Sequence, residues 1–197
     1  MVKEKMNLSD TKISCDIIII TFNGLSYTKK CVESIQNFTK NIDYRIIFVD
    51  NNSSDGTVEY LKTVPNSILI ANSENLNFVK AMNQGFEKVS SKYTVWLNND
   101  TVVTPDWLKI LVEHLEKNPE AGAIGPKTNG SGIIQKEESW DGTTDLDELS
   151  KFAKEYYQKN KELTIISDTS KALGGGHDSS FLVSGGLKKV LSFVKVI

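Results

Sequence analysis

The sequence predicts an α/β fold, a mostly parallel sheet flanked by helices, and three observations carry that prediction. Short β-branched runs such as Ile17-Ile18-Ile19-Ile20 and Tyr93-Thr94-Val95-Trp96-Leu97 are apolar without alternation, as strands covered on both faces are. Stretches with apolar residues at helical spacing alternate with them. Three of the apolar runs end in polar residues, at Thr21, at Asp50 and at Asn98-Asn99-Asp100. Right-handed crossovers place the carboxyl ends of parallel strands along one edge, where open α/β sheets bind ligands.

Taken in order, Cys15 to Thr21 is a buried strand broken by Phe22-Asn23-Gly24. Ser26 is a candidate cap for a helix whose Tyr27, Cys31, Ile35 and Phe38 fall on one face. Tyr44 to Val49 is a second strand, ending at Asp50. Asn51 to Gly56 is a polar turn, and Asp55 is the expected cap of a short helix carrying Val58 and Leu61, limited by Pro65. Ser67 to Ala71 is a third strand, followed by a loop through Asn77. Phe78, Met82, Phe86 and Val89 mark an amphipathic helix. The strand from Tyr93 ends in Asn98-Asn99-Asp100, and Thr101-Val102-Val103 reads as a short strand leading away. Thr104 caps the next helix, Pro105 takes its first position, and Leu108, Leu111 and Leu115 form its buried stripe. Ala121 to Gly125 is one more short strand.

Beyond Pro126 the pattern weakens. Thr144 is the expected cap of a helix carrying Leu146, Leu149, Phe152 and Tyr156, and Leu182 to Ile197 reads as a last strand and helix. The organisation is therefore a tail over 1–13, a unit over 14–126, and a region over 127–197 in the same domain.

A chain of 197 residues suits one domain with a real core, and its charged and apolar shares suit a soluble globular protein. The formal net charge of −2 supplies no basic field for nucleic acid. Cys15 and Cys31 are too few for a disulfide framework and read as reduced core thiols. No apolar run has the length of a membrane span, and the first residues lack the apolar core of a signal peptide. A cytoplasmic protein is expected, with peripheral membrane contact left open.

Asn98-Asn99-Asp100 is the stretch with the most chemistry in it. A carboxylate beside amide oxygens suits a hard divalent cation that keeps several waters and touches phosphate. Asn and Asp also favour turns, so the stretch alone admits a plain polar turn. The convergence of Thr21, Asp50 and Asp100 on one edge favours a site. Tyr156-Tyr157 reads as a buried helix face rather than a substrate platform. Gly174-Gly175-Gly176-His177-Asp178 lacks both the Gly-x-Gly-x-x-Gly spacing and the Lys of a P-loop, and reads as a turn.

These residues carry a resemblance. Ile17 to Asn23, Val49-Asp50-Asn51-Asn52-Ser53-Ser54-Asp55-Gly56-Thr57, Asn75-Leu76-Asn77-Phe78 with Asn83-Gln84-Gly85, and Leu97-Asn98-Asn99-Asp100 occur in an order and spacing that resemble family 2 glycosyltransferases of the GT-A fold. The Asn-Asn-Asp form is most similar to their rhamnosyltransferase-like branch. The resemblance covers roughly residues 14 to 126. It implies transfer of a sugar, with inversion, from a UDP-, dTDP- or GDP-sugar to a glycan, lipid-linked or protein acceptor. It implies that Thr21, Asn23, Asp50, Asp55, Lys80, Asn98 and Asn99 lie at the donor nucleotide, with Asp50 at the base. It implies that Asp100 holds Mg²⁺ or Mn²⁺ at the diphosphate.

Two departures stand out. Asn77 occupies a position where the family usually has Gly, and Asn tolerates the left-handed backbone better than most residues. No convincing counterpart of the catalytic carboxylate follows Asp100. Asp141, Asp178 and the Glu137-Glu138 pair are weak candidates, and a truncated, donor-binding half is expected. Two other functions compete with transfer. A binding module would hold the nucleotide sugar without turnover. A nucleotidyltransferase would want a glycine-rich basic loop after the first strand, which Phe22-Asn23-Gly24-Leu25-Ser26 does not supply.

Overall fold

Among the described residues six strands pair, all in parallel, in the spatial order β3-β2-β1-β4-β6-β5. They are β1 (Ser14–Thr21), β2 (Asp43–Asp50), β3 (Ser67–Ala71), β4 (Tyr93–Asn98), β5 (Ala123–Ile124) and β6 (Lys189–Ser192). The helices are α1 (Leu25–Phe38), α2 (Thr57–Leu61), α3 (Asn77–Glu87), α4 (Trp107–Lys117) and α5 (Leu146–Asn160). The structure is a computed structural model that describes residues 14–118, 121, 123–126, 145–160 and 189–192. Among the described residues no helix is long and apolar enough to cross a membrane.

β1 shows why its sequence is apolar without alternation. Ile17 and Ile19 join the larger core with Cys31, Val32, Ile35, Leu61, Leu108 and Leu115 of α1, α2 and α4. Ile18 belongs to the smaller core on the opposite face, with Met82 of α3, Val89 and Trp96. A strand that serves two cores has no side for water. Both cysteines are free and buried, as the sequence suggests.

One charge sits inside this strand. Asp16 is wholly buried and its carboxylate accepts from Arg45 Nε at 2.9 Å and from the amides of Ser90 and Ser91 at 2.7 and 2.9 Å. Arg45 is its partner in the β1–β2 register. Burial by itself would raise the Asp16 pKa. The hydrogen bonds from Arg45, Ser90 and Ser91, with the Arg45 charge, outweigh it and hold the carboxyl below its ordinary range. The pair ties the α3–β4 connection to the amino end of the sheet.

Several local expectations shift. Tyr27 and Phe78 are exposed rather than part of the buried stripes of α1 and α3. Both lie in the first turn of their helix, ahead of the residues that are buried, which begin at Thr28 in α1 and at Ala81 in α3. Val89 lies beyond α3 but is buried. Thr101 to Val103 forms no strand, although Thr101 and Val103 are buried. α4 starts at Trp107, and Thr104 closes the turn before it by accepting the Trp107 amide through its carbonyl. Asp145 caps α5: its Oδ1 accepts the amides of Asp147 and Glu148, each at 3.0 Å, while Thr144 lies outside the described residues. Phe152 and Tyr156 stack one turn apart on that helix.

Candidate active site

The strand register sets the site. Thr21 pairs with Asp50 and Ile20 with Asn98, so three strand ends finish at one level. The loops that leave them are bound to one another by side chains.

Asp50 is the centre of this lacing. It is wholly buried, and its Oδ1 accepts the Ser53 amide at 2.8 Å. Its Oδ2 accepts the hydroxyls of Thr21 at 2.7 Å and Ser53 at 2.5 Å. The Ser53 oxygen in turn accepts the Asn23 amide at 2.7 Å, while Asn23 Oδ1 accepts the Ser54 amide at 2.9 Å. Asn23 adopts φ 56° to make this exchange, a left-handed backbone that Asn tolerates. Thr21, Asn23 and Asp50 are thus brought together through Ser53, whose part in the exchange the sequence did not reveal.

Asp55 joins two helix starts. Its Oδ1 accepts the Thr57 hydroxyl at 2.6 Å and amide at 3.1 Å, at the start of α2 as expected. Its Oδ2 accepts the Leu25 amide at 2.9 Å, at the start of α1. Ser26 therefore does not cap α1; a carboxylate from the neighbouring loop satisfies its first amide. The Thr57 hydroxyl, then the Leu25 amide, lower the Asp55 pKa.

A third loop is attached by amides. Asn72 Nδ2 donates to Asn51 Oδ1 at 3.1 Å, and Asn72 and Gln84 exchange two hydrogen bonds of 2.9 Å. Asn51 Nδ2 donates to the carbonyl of Asn77 at 3.4 Å. Asn77 has φ 64°, so the left-handed turn expected where glycine is usual is present. Lys80, one turn along α3, is exposed. Phe22, read in the sequence only as part of the break after the first strand, is exposed beside Thr21 and Asn23.

On the other side of Thr21, Asn98, Asn99 and Asp100 are half-buried at the end of β4. Asn99 Nδ2 donates to Thr28 Oγ1 at 3.1 Å, and the Asn98 carbonyl accepts the Thr101 amide at 3.1 Å and the Cys31 thiol at 3.6 Å. Burial, then the Asp100 charge, push the Cys31 thiol up to about 12. Among the described residues no three His, Cys, Asp or Glu side chains gather as a metal cluster. The donors here are one carboxylate with amide and carbonyl oxygens. That set is hard and sparse, and fits Mg²⁺ or Mn²⁺ that retains water and takes phosphate oxygens rather than a cation caged by protein.

Asp141, Asp178, Glu137 and Glu138 lie outside the described residues, as does the Gly174 to Asp178 stretch. An open cavity of about 670 Å³ lies at the far, amino end of the sheet, beside Asp16, Tyr44, Arg45 and Asn66. Asp16 and Arg45 are committed to each other there, and the cavity is remote from the strand ends.

An uncharacterized glycosyltransferase of Haemophilus influenzae is 30% identical over 114 residues, 55% of this chain and 35% of that protein. Poly-beta-1,6-N-acetyl-D-glucosamine synthase of Staphylococcus aureus is 27% identical over 136 residues, 61% of this chain and 33% of that protein. The chain thus spans about a third of the length of these relatives. The crystal structure of residues 1–349 of Staphylococcus aureus TarS superposes with a TM-score of 0.53 at 19% identity, over 62% of this chain and 39% of TarS. TarS in complex with UDP-GlcNAc superposes equally well, with a TM-score of 0.53. These structures share the fold, the GT-A arrangement. The model of the family described as Glycosyl transferase family 2 matches residues 16–173, most of the chain, and the chain belongs to that family.

Proposed function

We propose that the carboxyl edge of the sheet binds a nucleotide-sugar donor together with Mg²⁺ or Mn²⁺, and that the sugar is transferred with inversion to a glycan, lipid-linked or protein acceptor. The observation that carries this reading is the single edge on which the Thr21–Asp50–Ser53–Asn23 lacing lies beside the Asn98–Asp100 turn. The laced loops would receive the nucleoside, with Asp50 holding their shape from within and the exposed Phe22 ring offering an apolar face for the base. Lys80 and Asp55 lie on the same edge, and Lys80 suits the diphosphate as a point charge. Asp100, with oxygens of Asn98 and Asn99, would hold the cation. When bound, that cation supplies positive charge to a leaving nucleoside diphosphate.

Transfer breaks the bond between the anomeric carbon and the diphosphate oxygen and forms one to the acceptor oxygen. The acceptor proton must pass to a base, for which Asp141 and Asp178 remain the candidates. UDP-GlcNAc is the first donor to test, because TarS has been crystallised with it and the related staphylococcal protein is a poly-N-acetylglucosamine synthase. A cytoplasmic setting is in keeping with two free buried thiols.

Calorimetry of UDP-GlcNAc with and without Mg²⁺ tests the reading. The unaltered chain should bind more tightly with Mg²⁺, and Asp100→Ala should lose that gain while keeping its thermal transition. Equal Mg²⁺ enhancement in the variant removes Asp100 from the cation site.

A further inference from the structure

The segment that follows β4 is attached along one side of α1 by a series of buried polar groups. Thr28, Cys31, Ser34 and Thr39 succeed one another along the helix and its end, and each is buried. Thr28 Oγ1 accepts Asn99 Nδ2 at 3.1 Å, and the Cys31 thiol meets the Asn98 carbonyl at 3.6 Å. Ser34 Oγ accepts the Val103 amide at 3.1 Å, and Thr39 Oγ1 accepts Trp107 Nε1 at 2.9 Å. The chain between β4 and α4 therefore runs beside α1, although residues 99 to 106 form no strand.

Two of these contacts fall on the turn that carries Asp100. Thr28 is wholly buried and belongs to α1, a helix packed into the larger core. Its hydroxyl takes the nitrogen end of the Asn99 amide, which fixes the opposite, oxygen end of that amide. The Asn98 carbonyl is held at the same time by Thr101 and Cys31. A sparse donor set gains most from such fixing, since a misplaced oxygen cannot be replaced by another protein ligand.

We propose that Thr28 is a positioning residue for the cation-binding turn, fixing Asn99 and with it the oxygen donors around Asp100, a role that rests on the proposed placement of the cation at Asp100. Thr28 touches neither donor nor cation. It acts through Asn99.

The experiment compares UDP affinity with and without Mg²⁺ by calorimetry, and Mn²⁺ uptake by the loss of the free-ion paramagnetic resonance signal. Thr28→Val keeps the volume and removes the acceptor. The ratio of UDP affinities with and without Mg²⁺ should fall about three- to tenfold, the scale of one neutral hydrogen bond. Mn²⁺ affinity should fall in parallel. Thr28→Ser, which retains the hydroxyl, should recover the ratio to within about twofold. Asn99→Ala removes the same bond from its other side, and its loss should not add to that of Thr28→Val in the double variant. If Thr28→Val does not fold, Thr28→Ala removes the same acceptor without introducing a new group and should show the same fall in the ratio; an unchanged ratio in Thr28→Ala overturns the inference. An unchanged ratio in Thr28→Val, an equal loss in Thr28→Ser, or additive losses overturn the inference. If the unaltered chain shows no Mg²⁺ enhancement at all, the proposed function fails first and takes the inference with it.

Discussion

Asp50→Asn is the substitution from which the laced loops stand to lose most cleanly. The carboxylate accepts three hydrogen bonds, from Thr21 Oγ1, Ser53 N and Ser53 Oγ, in a position with no exposure. A hydrogen bond to a charged group contributes about 1.5–3 kcal/mol and a neutral one about 0.5–1.5. Three such conversions cost roughly 3–4.5 kcal/mol. Asn retains one oxygen for the Ser53 amide, and its NH₂ faces two hydroxyls that can turn to accept. Asp50→Ala leaves the Thr21 hydroxyl and the Ser53 groups without their acceptor, a loss of about 4.5–9 kcal/mol against a total stability of about 5–15. Asn is therefore the informative change. Urea unfolding followed by tryptophan fluorescence should give a lower midpoint with an unchanged slope. Nucleotide affinity should fall by the same factor with and without Mg²⁺, because the loop rather than the cation is disturbed. A stability change below about 1 kcal/mol would refute the argument that Asp50 holds the loops from within.

Two further substitutions test the frame that carries the site. Asp16→Asn should cost roughly 2–3 kcal/mol at neutral pH by removing the charge that Arg45 and two amides share. The native pKa is depressed, so the advantage over the variant is complete above the unfolded value of about 3.9 and is lost as pH falls through the native one. Denaturation curves from pH 7 to 3 should converge, and a gap that widens on acidification would contradict the assignment. Gly85→Ala places a Cβ at 2.6 Å from Cγ2 of the wholly buried Ile18. The clash should outweigh the better helix propensity of Ala and leave a net loss of about 1–2 kcal/mol by urea unfolding. A more stable variant would mean that α3 can move off the sheet without cost.

The strands were legible because double-sided burial writes itself into sequence as an unbroken apolar run, and their polar ends marked the edge. Asn77 was legible for a local reason, its tolerance of a positive φ. What escaped were pairings between polar residues distant in sequence. Ser53 accepts from one loop while donating within its own, and Asp55 caps a helix to which it does not belong. Thr28, Ser34 and Thr39 look like the wet side of a helix until the chain after β4 is laid against them. Asp16 was hidden by its apolar neighbours, and only the register brings Arg45 to it. Tyr27 and Phe78 obeyed helical periodicity, but periodicity says nothing about where along a helix burial begins.

The strand order also dictates a sequence of events as the chain is made. β1, β2 and β3 are neighbours in the chain and in space, so the first three strands can zip together as they emerge. β4 closes onto the far side of β1 after a long excursion, a slower, non-local step. β6, from residues 189–192, is the strand that sits between β4 and β5. Until it is synthesised, the outer backbone of β4 and that of β5 lack the one strand that pairs with them among the described residues. A nascent chain halted before residue 189 therefore already holds Thr21, Asp50 and Asp100, yet leaves β4 without its β6 partner, and an unpaired strand edge is a feature that recruits chaperones or other copies of the chain.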